Sequence, residues 1–304
     1  MSSIISQAKL EQAFRDACAE ELAAPKPGNV GLHAAGHGMT VVDFLRSADV
    51  AAPHLCERAA PLGRRIEGAV GATCEAVGQN TNLGIVLLCA PLTMAAQDSP
   101  PDLRAAVTRV LDAADIADAE AVFRAIALAN PGGLGDAQRH DVRAPATVSL
   151  AVAMAEAADR DRIARQWTTG FADVFGTGLA AYAEARRRWP DPKWAALAAY
   201  MAFLSSFPDS HIGRKFGPDA AERVRADAVP FARRLHEASD PASLIPDMLA
   251  WDAALKTEGF NPGTSADLTV ATIFAHKIVG RLRAAGNDGS VTPRGRHGQC
   301  GSGS

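Results

Sequence analysis

Three short polar segments interrupt a sequence that is otherwise rich in helix-forming residues. They run from 25 to 30 (PKPGNV), from 79 to 84 (QNTNLG) and from 261 to 268 (NPGTSADL). Proline fixes φ and lacks a backbone donor, and glycine tolerates positive φ, so each segment is expected to break a helix. Breaks in a rigid scaffold are common places for binding groups. We therefore expect the three segments to line one shared cleft.

The first segment combines a constrained cation with a permissive backbone. Lys26 lies between two prolines, which hold the chain extended and aim its ammonium with little loss of entropy. Glycines beside it allow the close backbone approach that phosphate binding requires. A rigid turn with a solvated lysine explains the same pattern equally well. The candidate binding residues here and in the glycine-rich stretch that follows are Pro27, Gly28, Asn29 and His37.

The second segment places uncharged amides at the start of the most apolar predicted helix. Thr81 or Asn82 would suffice as a helix cap. A row of four polar residues exceeds what a cap needs, and a helix N-terminus flanked by amides offers N–H donors to an anion. Asn80, Thr81 and Asn82 are therefore predicted to bind an anionic ligand.

Several carboxylates lie near glycines or at predicted helix starts. Two carboxylates in a glycine-containing loop suit a Mg²⁺ ion that also holds phosphate oxygens, although solvated loop charge is an equal alternative. A carboxylate at a helix start can also serve only as a cap or as a partner of the helix dipole. The metal-ligand candidates are Asp136, Asp141, Asp209 and Asp267, and the remaining substrate-binding candidates are Lys215, Asn261 and Ser265.

Composition and periodicity predict an all-α fold. The predicted helices include one that starts at Thr40, with Asp43 completing a capping box, and ends near Pro53, and others over about 62–77, 160–189 and 266–285. The 304 residues are 48% apolar and 21% charged, alanine is abundant and β-branched runs are almost absent. The segment 85–96 is apolar on nearly every side, so it is expected to be a buried central helix in a single-domain bundle. We predict one helical domain over 1–285 and a disordered tail over 286–304, which is rich in glycine, serine and arginine.

Other classes of protein are disfavoured. A net charge of −3 gives little support to nucleic-acid binding, and no apolar stretch reaches the ~18 residues of a membrane span. The N-terminus shows no signal peptide, and the phosphate-loop, dinucleotide-binding, serine-hydrolase and zincin motifs do not occur. Five cysteines without a CxxC pair fit a reducing cytoplasm. A small-molecule partner is expected, and a homodimer is left open.

The segments 25–28, 80–84 and 261–268, with Glu20 before the first, resemble the triphosphoribosyl-dephospho-CoA synthase family over about residues 10 to 285. The resemblance implies an all-helical enzyme that takes ATP and 3′-dephospho-CoA, releases adenine and joins the triphosphoribosyl unit to the acceptor ribose. The stretches NTNLGI and GGLGDAQRHDV are similar to a divergent branch from archaea and methylotrophic bacteria that use methanopterin-type cofactors. That similarity implies a role in assembling a one-carbon cofactor.

Breaking an N-glycosidic bond produces an oxocarbenium-like centre that a carboxylate stabilises while a metal and cations hold the phosphates. For such a reaction we predict Glu20 as the carboxylate near the reacting sugar, Lys26 on phosphate, and Mg²⁺ as cofactor. The alternative is a non-catalytic nucleotide-binding or scaffold protein, because Asn82 and Leu83 stand where better-known members of the family have histidine and lysine.

Overall fold

Helices account for nearly all secondary structure in this computed structural model, which describes residues 4–32, 36, 38–131 and 140–288. Within these ranges there are fourteen α-helices and no β-strand. The helices are α1 Gln7–Ala23, α2 Val41–Cys56, α3 Leu62–Val77, α4 Leu83–Ala96, α5 Leu103–Ala113, α6 Ile116–Ala129, α7 Leu150–Ala157, α8 Arg162–Thr169, α9 Leu179–Arg188, α10 Pro192–Ser206, α11 Ser210–Phe216, α12 Pro218–Glu237, α13 Ile245–Thr257 and α14 Gly263–Asp288. A π-helical turn, Val174–Gly178, precedes α9, and a 3₁₀ helix, Pro241–Leu244, precedes α13.

Helix α4 is the buried centre of the bundle. Twelve of its 14 residues are buried, and it packs against α2, α3, α5, α8 and α14. The buried apolar side chains form one continuous cluster that extends from Ile5 to Ile278. The predicted all-α fold around a central helix is confirmed.

Capping residues explain where several helices begin and end. Thr40 and Asp43 form the predicted capping box at the start of α2, in which the Thr40 backbone N–H donates to Asp43 Oδ2 at 2.7 Å. Helix α3 has the predicted bounds and ends at Gly78, whose φ of 76° lies in the left-handed region that glycine favours.

Some boundaries differ from the sequence-based expectation. Helix α2 continues through Pro53 to Cys56. A single helix over 160–189 was expected, but Gly170 and Phe171 adopt φ of 58° and 57° and separate α8 from the π-helical turn, which runs directly into α9. Helix α11, between Asp209 and Gly217, was not predicted.

The third polar segment is largely helical. Helix α14 begins at Gly263, three residues before the expected start. It also includes residues 286–288 of the predicted tail. The rest of that tail lies outside the described residues. Among the residues that the structure describes, no helix has the length and apolar character needed to cross a lipid bilayer.

Candidate active site

A cavity of about 810 Å³ opens between the N-termini of α4 and α14. All three polar segments contribute to its wall, as expected from the sequence. Asn29 represents the first segment, residues 79–84 the whole of the second, and residues 261, 263, 264, 266 and 267 the third. Residues of helices α7, α8 and α11 complete the cavity wall.

The start of α4 is shaped to bring backbone donors and a carboxylate together. The Leu83 N–H is capped by Asn80 Oδ1 at 3.1 Å. The following N–H groups of the first turn have no partner within the helix, which is the usual state of a helix start. Asp267 packs directly against this turn, because a Cβ atom at Gly84 would lie 2.1 Å from Asp267 Oδ2. Only glycine permits this approach.

A chain of buried polar groups ties the first segment to the third. Lys26 Nζ donates to Glu21, to Asn29 Oδ1 at 2.9 Å and to the Val30 carbonyl at 3.0 Å. Asn29 Nδ2 then donates to Asn261 Oδ1 at 2.8 Å. The Lys26 and Glu21 side chains are 0% and 6% exposed, so this ion pair is withdrawn from solvent.

The structure does not bring the two predicted catalytic residues to the cavity. The carboxylate of Glu20 is held by the Tyr182 hydroxyl at 2.5 Å and by Lys277 Nζ at 2.8 Å, away from the cavity wall. Lys26 has all three protons engaged inside the protein, which leaves none for a phosphate. The acid of α1 that lines the cavity is the neighbouring Glu21.

Burial shifts the protonation of the acids at the cavity. Burial raises the pKa of Glu21, and the adjacent Lys26 opposes this shift. Burial, with the charges of Asp209 and Glu21, raises the pKa of Asp267 well above its usual range, and Arg214 opposes it. Asp267 makes no hydrogen bond to any described residue and lines the cavity. It is therefore the carboxylate most available to a ligand.

Cationic side chains line the same cavity as the amides. Arg160, Arg214 and Lys215 all contribute to the wall. Arg214 Nη1 pairs with Asp161 at 2.5 Å, while Asp161 also caps α8. The Arg214 Nε is buried and has no hydrogen-bond partner in the described part of the chain. A buried donor without a partner is costly, so the Arg214 Nε–H is a donor that an oxygen entering the cavity could satisfy.

The remainder of the wall is apolar. It is formed by side chains of α2, α4, α6, α7 and α8, among them Phe44, Ile85, Phe123, Met154 and Ile163. The cavity therefore combines an apolar surface, suited to a flat base, with donors suited to phosphate oxygens.

The sequence from residue 7 to residue 285 matches the model of the CitG family, described as ATP:dephospho-CoA triphosphoribosyl transferase. The chain belongs to this family. A solved structure from Archaeoglobus fulgidus, provisionally described as a triphosphoribosyl-dephospho-CoA synthase, is similar at 27% identity and a TM-score of 0.59. That match covers 76% of this chain and 97% of the archaeal protein. No curated protein matches the chain significantly.

In this transferase, Asp209 does not line the cavity and bonds to two helices instead. Its carboxylate caps α11 by accepting from the N–H groups of His211 and Ile212, at 2.9 and 3.3 Å. The other oxygen accepts from the backbone N–H and the hydroxyl of Ser265, at 2.8 and 2.9 Å. Asp209 and Ser265, both predicted to bind ligands, instead join α11 to α14 outside the cavity wall.

Pro27 and Gly28 also act within the protein interior. The Tyr200 hydroxyl donates to the Pro27 carbonyl at 2.6 Å, and the Gly28 N–H donates to Asp252 Oδ1 at 2.8 Å. Neither residue lines the cavity. Both hold the first segment against α10 and α13.

The other predicted residues of the second segment do line the cavity of the transferase. Thr81 shares a hydrogen bond of 2.5 Å with Ser47, and Asn82 Nδ2 donates to Thr73 Oγ1 at 3.0 Å. Asn80, Asn261 and Lys215 line it as well. His37 lies outside the described residues.

Metal-binding residues are not preassembled in the described part of this transferase. No group of three or more histidine, cysteine or acidic side chains there is arranged to hold a metal ion. Asp141 lines the cavity but pairs with Arg143, with both oxygens at 2.9 Å from its guanidinium. Asp136 lies outside the described residues.

Sequence reasoning did not select Glu21, Arg160, Asp161 or Arg214 as site residues. A signal for Glu21 exists in the helical period, because it follows Leu10, Phe14 and Cys18 on the buried face of α1. A charged residue on an otherwise apolar helix face needs a buried partner, and Lys26 is that partner. Arg160, just before α8, and Arg214, in α11, carry no comparable signal, since arginines are common on solvated helix faces.

Proposed function

We propose that this transferase moves the triphosphoribosyl unit of ATP to the ribose hydroxyl of 3′-dephospho-CoA or a related acceptor and releases adenine. Membership of the family supports the reaction class. The observation that carries the proposal is the convergence of three distant polar segments, two helix N-termini and a set of cations on one cavity.

The triphosphate is assigned to the end of the cavity near α4 and α14. First-turn N–H groups and the positive ends of the helix dipoles favour an anion there. Helix α11 supplies positive charge through Arg214, whose Nε has no partner among the described residues, and through the exposed Lys215. The apolar surface around Phe44 and Phe123 is assigned to the adenine base.

The reaction breaks the bond between ribose C1′ and adenine N9 and forms a bond from C1′ to the acceptor oxygen. Positive charge develops at C1′ as adenine leaves, and a carboxylate close to C1′ stabilises that charge. We assign this role to Asp267. The proton of the acceptor hydroxyl passes to a carboxylate and then to the departing adenine, so that atoms and charge balance.

We also propose Mg²⁺ as a companion of the triphosphate. Mg²⁺ typically binds through one or two protein carboxylates together with substrate phosphates, so it does not need a preassembled cluster. Asp267 fits this requirement, because it lines the cavity without a hydrogen bond to another described residue. A nearby divalent cation would favour its ionised form.

The acceptor is the open part of the proposal. Leu83 lines the cavity at a position where better-known members of the family have a lysine. With the similarity of NTNLGI and GGLGDAQRHDV to the archaeal and methylotroph branch, this difference favours a second candidate acceptor, a precursor of a methanopterin- or methanofuran-type one-carbon cofactor. A cytoplasmic location fits both candidates, since ATP is the donor and Cys18, Cys56, Cys74 and Cys89 are free thiols.

The test is to incubate the purified protein with ATP, Mg²⁺ and each acceptor and to measure free adenine by chromatography. We expect adenine to appear only when a suitable acceptor is present. Asp267→Asn is expected to reduce turnover by at least about 100-fold, the usual size of one lost electrostatic contact at a reacting centre. ATP binding without adenine release under any condition would instead support the non-catalytic nucleotide-binding alternative.

A further inference from the structure

Each hydrogen bond in the buried chain that starts at Lys26 determines the direction of the next. An ammonium group can only donate hydrogen bonds, and Lys26 donates its three to Glu21, to Asn29 and to the Val30 carbonyl. The Asn29 atom at 2.9 Å from Lys26 Nζ must therefore be the oxygen. This fixes the orientation of the Asn29 amide.

The orientation of Asn29 in turn decides what Asn261 offers to the cavity. Asn29 Nδ2 donates to Asn261 Oδ1 at 2.8 Å, so the oxygen of Asn261 is occupied. Asn261 Nδ2 makes no hydrogen bond to any residue that the structure describes. Because Asn261 lines the cavity, its two N–H groups remain available to a ligand.

Asn82, across the cavity wall, is fixed with the opposite polarity. The Thr73 hydroxyl donates to the Ala69 carbonyl at 2.9 Å, so its oxygen must accept the hydrogen bond from Asn82 Nδ2 at 3.0 Å. Asn82 thus presents Oδ1, an acceptor, at the start of α4. The wall carries a fixed donor at one helix start and a fixed acceptor at the other.

We propose that Lys26 and Asn29 are positioning residues that hold Asn261 with its N–H donors toward an oxygen of the bound nucleotide. The inference rests on the proposed function, and it assigns Lys26 a role without contact to substrate. A reversed Asn261 would place its own oxygen against the ligand oxygen, and two acceptors repel each other. Burial of the Lys26–Glu21 pair serves this purpose, since a solvated ammonium could not hold one amide orientation.

The hydrogen bonds from Lys26 to Asn29 and from Asn29 to Asn261 are called the relay below. The test reverses the direction of its second hydrogen bond without changing Asn261. In Asn29→Asp, a carboxylate beside the Lys26 ammonium is ionised and can only accept. Asn261 must then turn Nδ2 toward position 29 and Oδ1 toward the cavity. We expect the Kd for ATP, measured by isothermal titration calorimetry, to rise at least about tenfold, as for the loss of one hydrogen bond to a charged group.

A second background isolates the relay from other effects of the substitution. In Asn261→Ala the amide that the relay orients is gone, so adding Asn29→Asp is expected to change the Kd less than about twofold. Asn29→Leu, which has no polar side-chain atom, provides the same comparison if Asn29→Asp does not fold. Its loss of affinity should have the same sign and should also vanish in the Asn261→Ala background.

Tyr200→Phe is the matched control for damage to the first segment. It removes the hydrogen bond to the Pro27 carbonyl and leaves the relay intact. We expect a lower melting temperature and an unchanged Kd for ATP. Variants at position 29 that bind ATP as tightly as the wild type, or that lose affinity equally without the Asn261 amide, overturn the inference alone. A wild-type protein that does not bind ATP overturns the proposed function and this inference together.

Discussion

At the scale of single residues, the buried Lys26–Glu21 pair is the feature on which the site depends most. Neither side chain is solvated, and burial disfavours the charged form of both. Burial lowers the pKa of Lys26 and raises that of Glu21, and the mutual attraction opposes both shifts. Removing one partner leaves the other charge uncompensated in the interior.

Lys26→Met is therefore expected to lower the free energy of unfolding by about 3–5 kcal/mol, as found when one partner of a buried ion pair is removed. Urea denaturation followed by circular dichroism measures this. Lys193→Met is the control, since Lys193 pairs with Asp191 at the surface, where an exposed pair contributes about 1 kcal/mol or less. Equal effects of the two substitutions would show that the Lys26 pair is not buried as described.

Asp267 gives a second prediction at this scale, in the dependence of stability on pH. Its pKa is raised in the folded protein, so the folded state holds the proton more tightly than the unfolded chain does. Its contribution to the free energy of unfolding is therefore complete at low pH. The contribution is lost as the pH rises above about 4, by at most about 1.4 kcal/mol per pH unit.

Asp267→Asn removes that titration. We expect the stability of the wild type relative to the variant to decrease steadily between about pH 4 and the raised pKa, so that the variant is the more stable protein at alkaline pH. Urea titrations of both proteins at a series of pH values provide the comparison. A wild type that instead gains stability relative to the variant as the pH rises would mean that the folded state favours the ionised carboxylate.

At the scale of elements, close contacts between the first segment and α13 and α14 explain how the cavity wall is held. Gly28 has φ of 80°, and a Cβ there would lie 2.8 Å from Pro262 Cδ and 3.0 Å from Leu255 Cδ1. Only glycine meets both conditions. The segment that carries Asn29 therefore sits directly on the residues that precede α14.

Gly28→Ala is expected to destabilise the protein by about 1–3 kcal/mol, because both the backbone conformation and the contact become strained. Gly71→Ala is the matched control: Gly71 lies in α3, and a Cβ there meets no atom within 4 Å. That change should stabilise the helix by up to about 1 kcal/mol. Thermal melts of the two variants should shift in opposite directions, and a destabilised control would contradict the assigned reason.

The elements also show what the sequence could and could not predict. Apolar composition on all sides was sufficient to place α4 at the centre, and Thr40 with Asp43 was sufficient to start α2. The division between α8 and α9 was missed because Phe171 adopts a left-handed conformation that its residue type does not announce. Pro53 predicts the end of α2, but the helix continues past it to Cys56.

The choice between Glu20 and Glu21 illustrates the same limit within one helix. Successive helical residues point about 100° apart, so one acid meets Tyr182 and Lys277 while the next lines the cavity. Resemblance to a family located the acidic end of α1, but the rotation of that helix within the bundle decides which acid faces inward. That rotation is set by packing of Leu10, Phe14 and Cys18.

At the scale of the whole molecule, the bundle brings together residues more than 230 positions apart in the chain. The Asn29–Asn261 hydrogen bond joins two such residues, and residues of α4 line the same cavity. Polar breaks in apolar helices were enough to predict that these segments meet. Lys215 was among the predicted binding residues, but the contributions of Arg160 and Arg214 to the wall depend on tertiary packing and could not be inferred from spacing alone.

The most direct test of the account is a crystal structure of the protein with Mg²⁺ and an ATP analogue whose bond between ribose C1′ and the base cannot be cleaved. We predict triphosphate density between the N-termini of α4 and α14, with a phosphate oxygen within hydrogen-bond distance of Arg214 Nε and the base against the apolar wall. Analogue bound at any other place, with this cavity empty, would contradict the account.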